Sequence, residues 1–290
     1  MRVTRRQALA GLLAAAAPAA PARAAFPGRI VALDWGLAST LVALGVAPTG
    51  VGEPDGYRAW VGEPALPPST RDVGLRLEPN LELLAALKPD LILGNPLNEG
   101  TRPLLERVAP VLAYSVFTQE ARPLERARAM TLDLGRRLGR EAAAEALLAR
   151  AEEEFAAGRA ALAFREGRRL LVVSVIDARH VNVYGRGSLF ADVLGRLGLE
   201  SAWARPTNAW GVGVAAIEDL AAHPAADLVL VEPVPAEAER SFARPGLWAA
   251  LARARRGAVV RLPQAWGFGD VAAAARFAGL IAGRLGDGAR

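Results

Sequence analysis

The sequence predicts an α/β protein of two Rossmann-like lobes with mainly parallel sheets, joined by one long α-helix. Three observations predict it. Short apolar runs alternate with helical patterns through both halves of the 290-residue chain. One segment of the first half is echoed in the second: LELLAALKPDLILG (81–94) and IEDLAAHPAADLVLV (217–231) each read as an amphipathic helix, a proline stop, then Asp-Leu and a buried strand. Between them lies a run rich in alanine and glutamate (141–164) that contains a single glycine, Gly158.

The first 24 residues read as a targeting segment rather than as fold. They have a basic start, an alanine-leucine run too short to cross a bilayer, and ARA (22–24) as a cleavage site near Ala24. Arg5-Arg6 before the apolar run fits a twin-arginine export signal, with an ordinary secretory signal as the alternative. Either implies export, so a periplasmic protein is expected. The net charge of +5 belongs largely to this segment: Arg2, Arg5, Arg6 and Arg23 stand there with no acid, leaving the body at +1. A near-neutral body argues against nucleic acid as a partner. The chain has no cysteine, so neither a disulfide framework nor a lipid-bearing cysteine is available. No later segment predicts a transmembrane helix.

In the N-terminal lobe (25–140), RIVALD (29–34) reads as a strand and LASTLVALG (37–45) as a helix ending at glycine. Val73, Leu75 and Leu77 alternate with Gly74 and Arg76 and predict a short strand, which Pro79 and Asn80 end before a helix. LILG (91–94) and VAPVLAY (108–114) read as further strands. The linking segment (141–164) carries apolar residues at Ala144, Leu148, Ala151, Phe155 and Leu162, a helical stripe. It predicts a rigid strut about 36 Å long at roughly 1.5 Å per residue; the alternative is one more packed helix of a single larger domain. In the C-terminal lobe (165–290), RLLVVSVI (169–176) is a strongly apolar strand, and SLFADVLGRLG (188–198) a helix capped by Ser188.

Several enzymatic signatures are absent or out of place. GVGVAA (211–216) and GFGDVA (267–272) match a loose dinucleotide pattern, but neither follows the first strand of a lobe, where that fingerprint belongs. Glycines that admit close approach of loops explain them better. There is no GxSxG elbow and no phosphate-cradling GxxxxGK. His180 and His223 have no neighbouring histidines or cysteines at ligand spacing, so direct metal ligation is not expected. What stands out is tryptophan in glycine- or proline-flanked loops: Trp60, Trp210 and Trp266, drawn from both halves. Together they favour an aromatic-walled pocket between lobes. Trp35, Trp203 and Trp248 read as packing.

The segments RIVAL (29–33), YRAW (57–60), EPALPP (63–68), DVGLRLEPNLELL (72–84), Lys88-Pro89, GRGSLF (185–190), TNAWG (207–211), LAA (220–222) and QAW (264–266) carry a family likeness. The chain resembles the periplasmic ferric-hydroxamate-binding proteins, substrate-binding subunits of ABC importers. The resemblance covers nearly all of the mature chain, and its most specific part is residues 72–84. It implies the helical-backbone periplasmic binding protein fold, with a shallow cleft between the lobes, no enzymatic activity and no cofactor beyond the iron carried in the ligand. By the resemblance, Arg76 donates hydrogen bonds to the hydroxamate oxygens around iron, and Trp60, Trp210 and Trp266 line the pocket. Asn208, beside Trp210, and Tyr57, in the motif of Trp60, join this set. Two family tyrosines fall on Asn98 and Phe268 here, which leaves the particular siderophore open.

The chemistry suits such a ligand. A ferric ion held by three hydroxamates is neutral with a partly negative oxygen shell, which a planar guanidinium can meet with several donors. Indole rings would cover the apolar backbone of the siderophore. The alternative for Arg76 is a surface ion pair with Asp72 or Glu78. A ferric catecholate would need clustered cations, for which Arg58, Arg179 and Arg205 are available; cobalamin or haem on the same scaffold, or a secreted α/β enzyme, are the other readings. The resemblance also implies an inner-membrane ABC permease as partner, docked through acidic residues on each lobe. Glu99 or Glu106 and Glu237 or Glu239 are the candidates by position, and a monomer is expected.

Overall fold

A computed structural model describes residues 28–242, 244–254, 257 and 259–286. The expected export signal lies outside the described residues. The chain first builds an α/β lobe: β1 (Ile30–Ala32), α1 (Trp35–Ala43), β2 (Gly50–Val51), α2 (Pro54–Trp60), β3 (Arg71–Asp72), α3 (Leu81–Leu87), β4 (Leu91–Gly94), α4 (Arg102–Leu105) and β5 (Val111–Ala113). A single 3-10 turn (Pro96–Asn98) follows β4. The five strands run parallel in the order β3-β2-β1-β4-β5. Ile30, Val31 and Ala32 are all buried, as a central strand covered on both faces requires.

Two helices follow, α5 (Pro123–Leu138) and α6 (Glu141–Ala161), separated by Gly139 in the left-handed region (φ 63). The second lobe holds β6 (Arg169–Val175), β7 (His180–Tyr184), α7 (Leu189–Arg196), β8 (Glu200–Ser201), β9 (Val212–Ala216), β10 (Asp227–Val231), α8 (Ala236–Phe242), α9 (Leu247–Ala254), β11 (Val259–Leu262) and α10 (Val271–Gly286). Its sheet order is β11-β10-β6-β7-β9, with β8 also pairing β6. Strands β6, β8, β10 and β11 are parallel; β7 is reversed, pairing antiparallel with both β6 and β9. The β6–β7 turn is closed by Asp177, whose carboxylate accepts from Arg179 N and His180 N at 2.7 and 2.8 Å. Ser188 caps α7, as its position predicts, accepting from Ala191 N at 3.1 Å.

The joining segment is helical over 21 residues, about 32 Å at roughly 1.5 Å per residue. It has company. Ala144 of α6 packs in the core of the first lobe with Met130, Leu134 and Leu138 of α5, while Leu147, Leu148, Ala151 and Phe155 pack in the second lobe with Leu124 and Ala127 of α5. Both helices therefore run through both cores, in opposite directions.

Two local expectations are corrected. The strand read at 73–77 is only Arg71–Asp72. Asp72 accepts from Gly74 N at 2.8 Å, Gly74 takes φ 87, and Gly74 and Pro79 form an isolated bridge. The chain thus doubles back, leaving Leu75 and Leu77 about half exposed (55% and 47%) on a knuckle with Arg76 between them. The helix expected at 217–222 is a 3-10 helix, capped by Asp219, which accepts from Ala216 N at 3.0 Å.

A candidate ligand cleft between the lobes

The knuckle of residues 75–78 holds Arg76 at the edge of the gap between the lobes. Its guanidinium lies 3.8 Å over the ring of Trp35, a cation–π stack. Trp35 is itself buried, its Nε1 donating to Gly52 O at 2.9 Å. A Cβ on Gly52 would sit 3.0 Å from Arg76 Cα, so the close approach of the two backbones needs glycine. Glu53 accepts from Arg76 Nε at 2.8 Å and from Arg76 N at 3.3 Å. That hydrogen bond holds the Glu53 carboxyl below the usual carboxylate range. The partner is thus neither Asp72 nor Glu78. Among the described residues, the two terminal guanidinium nitrogens have no hydrogen-bond partner.

Arg76 borders a cavity of about 510 Å³ whose walls come from both lobes. The first lobe contributes Asp34, Asn95, Leu97, Tyr114, Ser115, Phe117 and Met130; the second contributes Asn182, Asn208, Trp210, Val212, Trp266 and Phe268. Trp266 packs 4.9 Å from Trp35 and 5.1 Å from Phe268, ring to ring, so the aromatic wall runs continuously across the gap. Asn208 accepts from Trp210 N and Val212 N at 3.0 and 3.1 Å, which sets the turn that presents Trp210. Asp34 caps α1 through Leu37 N and takes a 2.7 Å bond from Asn95 Nδ2. A smaller recess of about 220 Å³ adjoins the cavity, sharing Arg76, Asn182, Trp266 and Phe268, and adds Trp35, Trp60, Tyr184 and Glu232.

The structure brings together Arg76, Trp210, Trp266, Asn208 and Phe268 on one cavity, with Trp60 in the recess. Tyr57 and Asn98 do not join them. Tyr57 is fully buried in the first lobe, its hydroxyl donating to Pro64 O at 2.6 Å, because α2 turns that face inward. Asn98 is 2% exposed and lies behind the wall: its Nδ2 donates to Arg76 O at 2.8 Å and its Oδ1 accepts from Asn95 N at 3.0 Å. Of the acidic surface residues, Glu99 and Glu106 flank Arg102 at 3.6 and 2.8 Å, and Glu239 pairs with Arg261 at 2.8 Å; Glu237 is exposed in the first turn of α8.

Sequence reasoning missed Asp34, Asn95 and Tyr114. They lie within two residues of the ends of β1, β4 and β5, at the carboxyl ends of the strands where open α/β sheets hold ligands, so the strand assignments carried the signal. Glu53 was missed too, since nothing local links it to a residue 23 positions on. The glycines of the two loose dinucleotide patterns are packing residues: a Cβ on Gly211 would sit 1.9 Å from Ser188 N, and one on Gly267 2.7 Å from Tyr184 Cε1. Among the described residues, no group of three or more acidic or imidazole side chains is placed to hold a metal ion, and no helix is long and apolar enough to cross a membrane.

A family model described as periplasmic binding protein matches residues 30–265. The chain is 35% identical over 267 residues to the iron(3+)-hydroxamate-binding protein FhuD of Escherichia coli (strain K12), covering 92% of this chain and 90% of that one. It superposes on the Vibrio cholerae siderophore-binding protein FhuD bound to Fe3+-Desferal with a TM-score of 0.79 at 30% identity, over 89% of this chain and 98% of that one. The Vibrio cholerae catecholate-siderophore-binding protein VctP shares the fold at 17% identity, with a TM-score of 0.67 over 88% and 94% of the two chains.

Proposed function

This chain belongs to the periplasmic binding protein family, and from that premise we propose that it is the binding component of an ABC importer for a ferric siderophore of hydroxamate type. It takes up the iron chelate outside the cytoplasmic membrane and hands it to the permease, without chemistry on the ligand. The observation that carries this reading is Arg76: a guanidinium held from below and behind, with its terminal nitrogens unpaired among the described residues, on the wall of an aromatic cavity. Those nitrogens suit the oxygen shell of a neutral ferric trihydroxamate, and Trp210, Trp266 and Phe268 suit its apolar chain. The relatives named for hydroxamates or Desferal support the ligand class, and their 90% and 98% coverage supports the carrier role. Glu99 or Glu106 on the first lobe and Glu237 or Glu239 on the second are the proposed permease contacts, and the carrier works as a monomer.

Titration with ferric desferrioxamine B, followed by tryptophan fluorescence, tests this. The unmodified protein quenches saturably. Arg76→Ala weakens binding by about tenfold or more, since each charge-assisted bond contributes roughly 1.5–3 kcal/mol. Absence of quenching by any ferric hydroxamate, with binding of cobalamin or haem instead, rejects the ligand class and keeps the carrier.

A further inference from the structure

We propose that Glu53 sets the charge selectivity of this cleft: by neutralising Arg76 at its Nε edge, it makes the arginine a hydrogen-bond donor without a net positive field, so that uncharged chelates are accepted and polyanionic ones refused. The inference rests on the ligand reading above and deepens it. Three observations point to it. First, the contact is one-sided. Glu53 takes Nε and the backbone N–H of Arg76, and the terminal nitrogens remain unpaired among the described residues, so hydrogen bonding toward a ligand survives the ion pair. Second, Glu53 sits in a left-handed backbone conformation (φ 52, ψ 57), which costs a non-glycine residue energy and persists where its surroundings hold it. Glu53 N donates to Gly74 O at 2.9 Å, tying it to the base of the knuckle that carries Arg76.

Third, among the described residues no other cation lines the cavity or its recess. The remaining charged side chain on the main cavity is Asp34, and on the recess Glu232, which is bonded to Arg261 at 3.1 Å. The three arginines available to a polyanion stand off both cavity walls: Arg58 pairs with Asp55 at 2.5 Å, Arg205 with Asp219 at 3.0 Å, and Arg179 is exposed on the β6–β7 turn. With the Arg76–Glu53 pair summing to zero and Asp34 on the wall, the field at the ligand is neutral to negative. A ferric tris-catecholate, which carries a large negative charge, meets no compensating cation there.

Glu53→Gln separates charge from geometry, because the glutamine oxygen still accepts from Arg76 Nε. Fluorescence titrations with a neutral ferric trihydroxamate and with a ferric tris-catecholate read the outcome. In E53Q the hydroxamate affinity stays within about threefold of the unmodified protein, while the catecholate affinity rises about tenfold or more. That gain shrinks as salt is raised from 50 to about 500 mM. A merely structural Glu53 would lower both affinities together and leave their ratio unchanged, and that result overturns the proposal while the function stands. An unmodified protein that binds neither chelate removes the function and this inference together.

Discussion

Asn98 donates to the carbonyl of Arg76 and accepts from Asn95 N, so a single amide ties the knuckle to the end of β4. Its replacement by alanine leaves a carbonyl and an N–H without partners in a nearly closed space. Each such loss costs about 1–3 kcal/mol. Asn98→Ala should therefore lower the chemical-denaturation midpoint and weaken ferric hydroxamate binding several-fold, although Asn98 does not line the cavity. Equal affinity in calorimetric titrations of the two proteins would show that Arg76 does not need this tether. The same residue marks how far reading single positions goes. The pattern DVGLRLEPNLELL points to Arg76, and glycine or proline near Trp60, Trp210 and Trp266 marks them as loop residues. Tyr57 belongs to a family motif near the pocket and Asn98 stands at a family pocket position, yet neither faces the cavity. Facing decides membership, and one side of α2 or of a 3-10 turn cannot be told from the other over three or four residues. Glu53 stayed out of view because an ion pair closed by folding leaves no mark at a separation of 23 residues.

Among the elements, the start of α10 carries the most consequential polar group. Asp270 is fully buried and caps the helix, its Oδ1 accepting from Ala272 N and Ala273 N at 2.8 and 3.1 Å. Burial pushes its carboxyl up to about 7, against the pull of the Ala273 N–H. In the unfolded chain this group ionises near 4, so between about pH 4 and 7 folding takes up a proton. Its contribution to stability is greatest at the acid end and is lost as pH rises through that window, by roughly 2–4 kcal/mol. Asp270→Asn keeps the cap acceptor and removes the titration. The variant should gain melting temperature on the unmodified protein as pH goes from 4.5 to 7.5, and parallel curves would refute the assignment. Most elements were legible because their patterns are strong: the apolar runs of β1, β4 and β6, and the capped, periodic α7. The miss at 73–77 has a definite cause. Alternating Val73, Leu75 and Leu77 imitate a strand, while Gly74 bends the chain out of the ladder and Pro79 brings no N–H to extend it.

At the scale of the molecule, the two lobes share more than one strut. Helices α5 and α6 cross both cores in opposite directions, and Glu152 of α6 is paired with Arg128 of α5 and Arg196 of α7. Helix α10 packs on α5 and α6 to complete this seam, and also on α7 of the second lobe and α1 of the first; just before α10, a Cβ on Gly36 would approach Gly269 Cα to 3.0 Å. The sequence announced α6 by its alanine, glutamate and single glycine. It did not announce that the other two helices join it, since their apolar stripes read like those of any helix covering a sheet. Domain closure about a hinge needs a few residues free to change φ and ψ, and a seam of three packed helices offers shear of small amplitude instead. A folded chain of 290 residues has a radius of gyration of about 19 Å. Saturation with a ferric hydroxamate should change that radius by less than about 0.5 Å in small-angle scattering, because the ligand enters a cleft already walled on both sides. A contraction of about 1 Å or more would mean that the seam bends, and that the aromatic wall from Trp35 to Phe268 opens and closes with the cargo.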